Sequence, residues 1–421
     1  MSSPRRRGSI ALIELGSRFR GNDGMPLLHR FPTLFALLFV CGAVCAAPDE
    51  AVLGKAEGYP VCKLEYAAFE TRCLVGNLSH FDEIAPARKV AKGPTTHPLA
   101  RAEQQSSTVE TFLARNRNTG LLVLKGDTIL VERYQYDRKP ENRFQSYSMA
   151  KTVVAMLFGI ALAEGKIASI DDRAEQYVPE LKGHPYGATK LRHLLTMSSG
   201  VKFIEEYNGR DDITELARRT LYQQGPGGVQ AVLPFNVRAR PAGEKFYYAS
   251  AETEVLSLVV RAAVGKPLAD YLSEKIWQPM GAEADATWLV DGGGYELGYM
   301  GLNVTLRDWG RLGLLLANGG AMDGKQIIPA EWVRDATRPD APHLRVGQAT
   351  RLNGYGYQTW LVDEKGRFAL LGLRGQAVFV DPETRVVVVH IAVQPTSSES
   401  RGDQFRLFFG LLASSKDGAR P

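Results

Sequence analysis

Cysteine is scarce in this 421-residue chain: there are four, too few for a disulfide-built miniprotein. The seven histidines are scattered and none sits in a His-Glu-x-x-His pair, which excludes that zinc-hydrolase pattern. No Gly-x-Gly-x-x-Gly follows a strand pattern, so a dinucleotide fold has no support. A near-match to a phosphate loop, Gly319 to Gln326, carries Gln326 where a magnesium-binding hydroxyl is required, and it follows a helical pattern; it reads as a turn. The Gly-x-Ser-x-Gly nucleophile elbow is missing too. Charge of one sign is also lacking. The net charge is +5, and the first 46 residues hold most of it: six arginines against Glu14 and Asp23. The remaining body is close to neutral and gives no electrostatic reason to expect nucleic acid. What is present, 44% hydrophobic and 23% charged residues, is the balance of a soluble globular protein.

The N-terminal region has the layout of an export signal. His29 and Arg30 precede an apolar run over residues 31–44, and Cys45, Ala46 and Ala47 follow. The run is shorter than the roughly 20 residues of a spanning helix. Cleavage after Ala46 or Ala47 is expected, giving a periplasmic or secreted protein with no stable membrane insertion. An uncleaved anchor is the alternative. Lipidation of Cys41 or Cys45 lacks a suitable preceding pattern. Because 24 residues precede Met25, the reading takes Met25 as the true start and residues 1–46 as signal plus an over-called leader. Removal of the signal leaves Cys62 and Cys73, an even pair in a disulfide-permissive compartment, and a bond between them is expected. Two free thiols are the alternative; their spacing fits no zinc site.

Residues 47–105 read as a polar, weakly periodic extension, and residues 106–415 as one large domain. Residues 120–125 and 128–134 are strand-like on either side of Gly126-Asp127, which predicts a hairpin. Residues 149–164 are apolar on every side and predict a buried helix. Shorter helical patterns cover residues 191–197, 213–223, 251–264, 268–277 and 306–317. Strand patterns return at 367–371, 377–381 and 386–393, and a final helix is predicted over 405–412. The order predicts an α/β (α+β) fold: a mostly antiparallel sheet built from N- and C-terminal segments, with flanking helices and a helical subdomain from the middle.

The chemistry centres on Ser148-Met149-Ala150-Lys151. Read alone, the pattern also fits a serine cap followed by a solvent-facing lysine. Its position, where a strand pattern gives way to the buried helix, favours more. Free N–H groups in a first helical turn stabilise negative charge at the serine oxygen. Residues i and i+3 share a face, so Lys151 can reach Ser148. Burial lowers a lysine pKa and lets its neutral amine act as a base. A second candidate is Tyr248 with Ser250, between a turn and a helix. A third is the glycine-rich stretch from Leu370 to Gln376, where a strand edge can approach a substrate and offer an N–H. Separately, core packing accounts for the tyrosine and a β-bulge for the glycines.

Together and in this order, these elements resemble the serine β-lactamase and penicillin-binding protein superfamily, especially its class C-like esterase and 6-aminohexanoate-dimer hydrolase branch. Supporting stretches are Asp171-Asp172, residues 177–181, residues 193–200, residues 250–256 and residues 305–309. The resemblance covers residues 110–400 and implies a β-lactamase/transpeptidase-like fold. It implies Ser148 as nucleophile, Lys151 as its base and Tyr248 as proton relay. Ser250 stands where most of the superfamily has Asn. Gly372 and Leu373 match the third motif, with the Ser148 and Leu373 N–H groups as the oxyanion hole and Gln376 as an alternative donor. The third motif departs from the pattern: Leu370 stands where Lys or His is usual, and Arg374 is the nearby cation. The reading is therefore an exported serine hydrolase acting through an acyl-enzyme on a small ester or amide that lacks a carboxylate, with no metal or organic cofactor. A β-lactamase or D-Ala-D-Ala carboxypeptidase, and a silent binding protein of the same fold, are the alternatives.

Overall fold

The structure, a computed structural model, describes residues 47–66, 70–222, 225–396 and 401–417. The expected export signal, with Met25, Cys41 and Cys45, lies outside them. The helices that matter for the site are α1 (Ser107–Arg115), α2 (Ala150–Ala163), α3 (Asp212–Arg219), α4 (Ser250–Val264), α5 (Leu306–Ala317) and α6 (Arg401–Asp417).

Among the described residues the larger sheet has eight strands. Asn118–Lys125 and Thr128–Tyr134 form the expected antiparallel hairpin, joined through Gly126 at φ 54°. Val386–Ala392 pairs with Asn118–Lys125, so the two ends of the domain meet at the centre of the sheet. Ala377–Asp381 and Phe368–Leu371 continue the sheet in antiparallel order. Every residue of Val386–Ala392 is buried, because both faces are covered. Strand side chains alternate between faces. Leu122, Leu124, Val387 and Val389 pack in the core that contains α5, whereas Leu121, Val123, Val386 and Val388 pack with Phe408 and Leu412 of α6. The α5 helix sits tight on the sheet because Gly310 and Gly313 face it. A Cβ on either would come within 2.6 Å of Leu122 or 2.5 Å of Val387.

The helical middle of the chain packs around α2, which is buried on all sides over residues 150–161. It lies against α4, and the Trp332 indole donates to the Ala155 carbonyl at 2.9 Å. A smaller sheet, Ala87–Val90, Ala286–Leu289, Leu302–Thr305 and Arg143–Gln145, leads the chain into α2.

Residues 47–105 are woven into both sheets. Ala87–Val90 pairs with Ala286–Leu289, and Ala100–Arg101 lies parallel to Thr128–Tyr134. Cys62 and Cys73 are bonded, with Cα atoms 5.8 Å apart. Among the described residues no helix is long and apolar enough to cross a membrane.

Candidate active site

The chain enters the site from Arg143–Gln145 and turns sharply into α2. The turn is pinned from both sides. Ser146 donates its N–H to the Leu302 carbonyl at 2.8 Å and accepts from the Leu302 N–H at 3.1 Å. The Tyr147 N–H donates to Gln145 Oε1 at 3.0 Å. Tyr147 is held at φ 43°, a left-handed conformation that is strained for a bulky residue. Ser148 follows in the short 3-10 turn Tyr147–Met149, immediately before α2.

One helical step later, Lys151 is 1% exposed, and its amine stands 3.0 Å from Ser148 Oγ. The amine also donates to the Tyr299 carbonyl at 2.8 Å. Burial lowers its pKa to about 8, while the carboxylates of Glu205 and Glu254 pull it back up. Glu254, buried on α4, accepts the Gly298 N–H at 3.0 Å. It thereby fixes the loop that carries the Tyr299 carbonyl. Burial raises the Glu254 pKa to about 8.

The Tyr248 ring stacks on Trp360, with centroids 5.5 Å apart, and the Lys151 amine lies 5.2 Å from the Tyr248 ring centre. The Tyr248 hydroxyl is hydrogen-bonded to Ser148; burial holds its pKa well above that of a free phenol, against the pull of Ser148 and Arg401. Ser250 opens α4 and gives both its N–H and its hydroxyl to Glu205, each at 2.8 Å. The Tyr207 hydroxyl donates to the same carboxylate at 2.6 Å.

The third motif closes the other side. A Cβ on Gly372 would lie 2.5 Å from the Ser146 carbonyl, so only glycine lets this strand end approach the serine turn. The Gly372 N–H donates to the Gln376 carbonyl at 2.8 Å. Leu373 is the first residue of the turn Leu373–Gly375, where an N–H has no partner within the turn. Gln376 is directed elsewhere. Its N–H faces the Leu373 carbonyl at 3.4 Å, and its side chain bonds both main-chain groups of Ala392. Arg374 donates to the carbonyls of Gln394 and Pro395 at 2.9 and 3.1 Å.

Ser148 therefore sits between two hollows, and Tyr207 and Leu373 share both rims with it. The first, about 500 Å³, is walled by Tyr147, Tyr222 and Met300, with Ile213 and Ala217 of α3 and the carboxylate of Glu206. The second, about 530 Å³, is walled by Tyr248, Trp360, Leu352 and Leu371, with Arg351 and Arg401. Among the described residues one set of thiol and carboxylate groups is close enough to hold a metal, Cys62, Glu70 and Cys73, and its two sulfurs are joined to each other.

The chain matches the Beta-lactamase family over residues 106–409. It belongs to that family. This β-lactamase-family chain is 26% identical to the 6-aminohexanoate-dimer hydrolase of Paenarthrobacter ureafaciens, over 81% of this chain and 90% of that protein. A solved structure from Bacillus anthracis, assigned as a 6-aminohexanoate-dimer hydrolase, superposes with a TM-score of 0.76 at 25% identity, covering 82% of this chain and 95% of that one. A penicillin-binding protein from Bacillus halodurans shares the fold, with a TM-score of 0.57, 18% identity and coverage of 73% and 98%. Homologues of this β-lactamase-family protein are thus hydrolases, and the mixed fold with antiparallel sheets is theirs.

The structure brings Ser148, Lys151, Tyr248, Ser250, Gly372 and Leu373 together, and leaves Gln376 behind the turn. The sequence reading did not find Glu205, Tyr207, Tyr299 or Arg401. Each reaches the site from a loop or a helix end, where no periodicity marks it. Glu254 lay inside a stretch that carried the resemblance, yet nothing local signalled that its carboxylate would hold the 298–299 backbone.

Proposed function

We infer that this β-lactamase-family protein is an exported serine hydrolase that cleaves an ester or amide through an acyl-enzyme on Ser148. One observation carries the reading: a fully buried lysine with its pKa down at about 8 stands 3.0 Å from the oxygen of a serine in the turn that leads into a helix. A neutral amine at that distance accepts the serine proton as Oγ bonds to the substrate carbonyl carbon. The oxygen that gains charge is stabilised by the Ser148 and Leu373 N–H groups. Collapse breaks the bond to the leaving group, which takes a proton from Tyr248; the Lys151 ammonium returns a proton to Tyr248. Water then enters as the second nucleophile and releases the acid. Tyr248 suits the donor role because burial keeps it a phenol.

An amide substrate has support from the relatives' name, since a dimer of 6-aminohexanoate is joined by an amide bond. The apolar walls of both hollows suit a small organic substrate on each side of the scissile bond.

The test follows p-nitrophenyl acetate and butyrate hydrolysis by the protein from residue 47 onward, wild type against Ser148→Ala, with intact-mass analysis of rapidly quenched samples. Turnover that vanishes in the variant, with an acyl mass on the wild type alone, is expected. Turnover that survives in Ser148→Ala would overturn the reading.

A further inference from the structure

The turn that carries the Leu373 N–H is unfavourable on its own. Arg374 and Gly375 are both left-handed, at φ 59° and 90°, and such backbone persists where its surroundings hold it. One support is the Gln394 N–H, which donates to the Arg374 carbonyl at 3.1 Å. Another stands behind the Gly375 carbonyl, and the reaction as derived above does not use it. His390, 1% exposed in the Val386–Ala392 strand, has its Nδ1 2.7 Å from that oxygen. Gln404 of α6, also buried, has its Nε2 2.9 Å from the same oxygen and 2.6 Å from His390 Nδ1.

The neighbours fix where the protons lie. Asn118 donates its amide Nδ2 to the Asn116 carbonyl at 2.9 Å, so its Oδ1 faces His390 Nε2 and that nitrogen is the donor. Burial lowers the His390 pKa to about 3, so the ring carries one proton and Nδ1 is bare. Nδ1 and the Gly375 oxygen are then two acceptors 2.7 Å apart, which repel unless a donor serves both. The two protons of the Gln404 amide do so. A carbonyl oxygen in that place would meet two acceptors, which fixes the orientation of the amide. We propose that Gln404 and His390 are positioning residues for hydrolysis: together they clamp the Gly375 carbonyl and so hold the Leu373–Gly375 turn with the Leu373 N–H directed at the oxyanion. The proposal deepens the acyl-enzyme reading above and rests on it.

Two substitutions separate this role from a merely structural one. Gln404→Met keeps the length of the side chain and leaves the two acceptors facing each other without a donor. Gln404→Ala opens a polar space in which a water can donate to both. As a packing residue, Gln404 would be missed more in the alanine variant, which has the larger cavity. As a clamp, it would be missed more in the methionine variant. With p-nitrophenyl butyrate, Gln404→Met should lower kcat by about 10- to 100-fold and leave KM within about twofold, because the oxyanion contact forms in the transition state. Its affinity for butylboronic acid, which gives a tetrahedral adduct on Ser148, should fall in step with kcat. Gln404→Ala should keep more activity than Gln404→Met while melting earlier in urea. Wild-type kcat and boronate affinity in Gln404→Met, or activities that follow the stabilities of the two variants, would overturn the proposal. If wild type neither turns over the ester nor binds the boronate, the hydrolase reading fails, and a crystal structure of Gln404→Met judges the clamp by itself. A displaced Leu373–Gly375 turn beside an unchanged Ser148–Lys151 pair upholds the clamp; an unmoved turn overturns it.

Discussion

The Lys151 amine lies 3.0 Å from Ser148 Oγ, with almost no solvent access and its pKa lowered to about 8 by burial. The base form is the neutral amine, so activity must grow as the proton leaves. The expected pH profile of kcat/KM rises from about pH 6 and levels above about pH 8–9. Lys151→Ala should lower kcat by at least about 100-fold and abolish the rise. A profile in Lys151→Ala with the same midpoint as wild type would assign the titration to another group.

Tyr248 stacks on Trp360, touches Ser148 with its hydroxyl and is kept protonated by burial. A donor to the leaving group matters in proportion to that group's basicity. Nitrophenolate leaves without help, whereas an amine must be protonated. Tyr248→Phe should therefore cut turnover of a short amide by about 100-fold or more and that of p-nitrophenyl acetate by much less. Equal losses on both substrates would point to a positioning role, because the relay predicts a dependence on the leaving group.

Gly372 is negative in φ at −128°, so its need for glycine is spatial. A methyl group there meets the Ser146 carbonyl at 2.5 Å and must push the end of the Phe368–Leu371 strand away from the serine turn. That displacement moves the Leu373 N–H away from Ser148. Gly372→Ala should lower kcat by about 10- to 100-fold and stability by about 1–3 kcal/mol, the range of overpacking. Steady-state kinetics with a denaturant melt separates the two effects. An unchanged kcat would remove Leu373 from the oxyanion hole.

The fold was legible where its signals are local. The hairpin around Gly126 and the all-apolar segment of α2 announce themselves by pattern, and both stand in the structure. Ala87–Val90 gave no signal, because Ala-Arg-Lys-Val is short and mostly exposed and becomes a strand only by pairing with Ala286–Leu289. The same limit applies to the site. Ser148 and Lys151 are three positions apart on one helical turn, so spacing alone can join them. Glu205 meets Ser250 across 45 positions, and Arg401 shares a hollow with Ser148 from the far end of the domain. Contacts of that kind are set by tertiary packing and leave no mark in a local window.

A final prediction concerns stability, where the sign runs against intuition for a site lysine. The folded pKa of Lys151, about 8, lies below the ordinary value of 10.5. Between those values the unfolded chain holds a proton that the folded protein has lost, so wild-type stability gains from this group as pH rises through that window. Below about pH 8 the folded protein must either bury the charge or give up the proton, and it is penalised in full. Lys151→Met keeps the volume and removes the penalty. It should be more stable than wild type at neutral pH by up to about 3 kcal/mol, reduced by the lost hydrogen bonds to Ser148 and Tyr299. The advantage should shrink between about pH 8 and 10.5. Paired urea melts at about pH 7 and about pH 10 measure it as a difference, which cancels the other groups that titrate there. A variant less stable than wild type at pH 7, or a gap independent of pH, would show that the Lys151 amine is not desolvated in the folded protein.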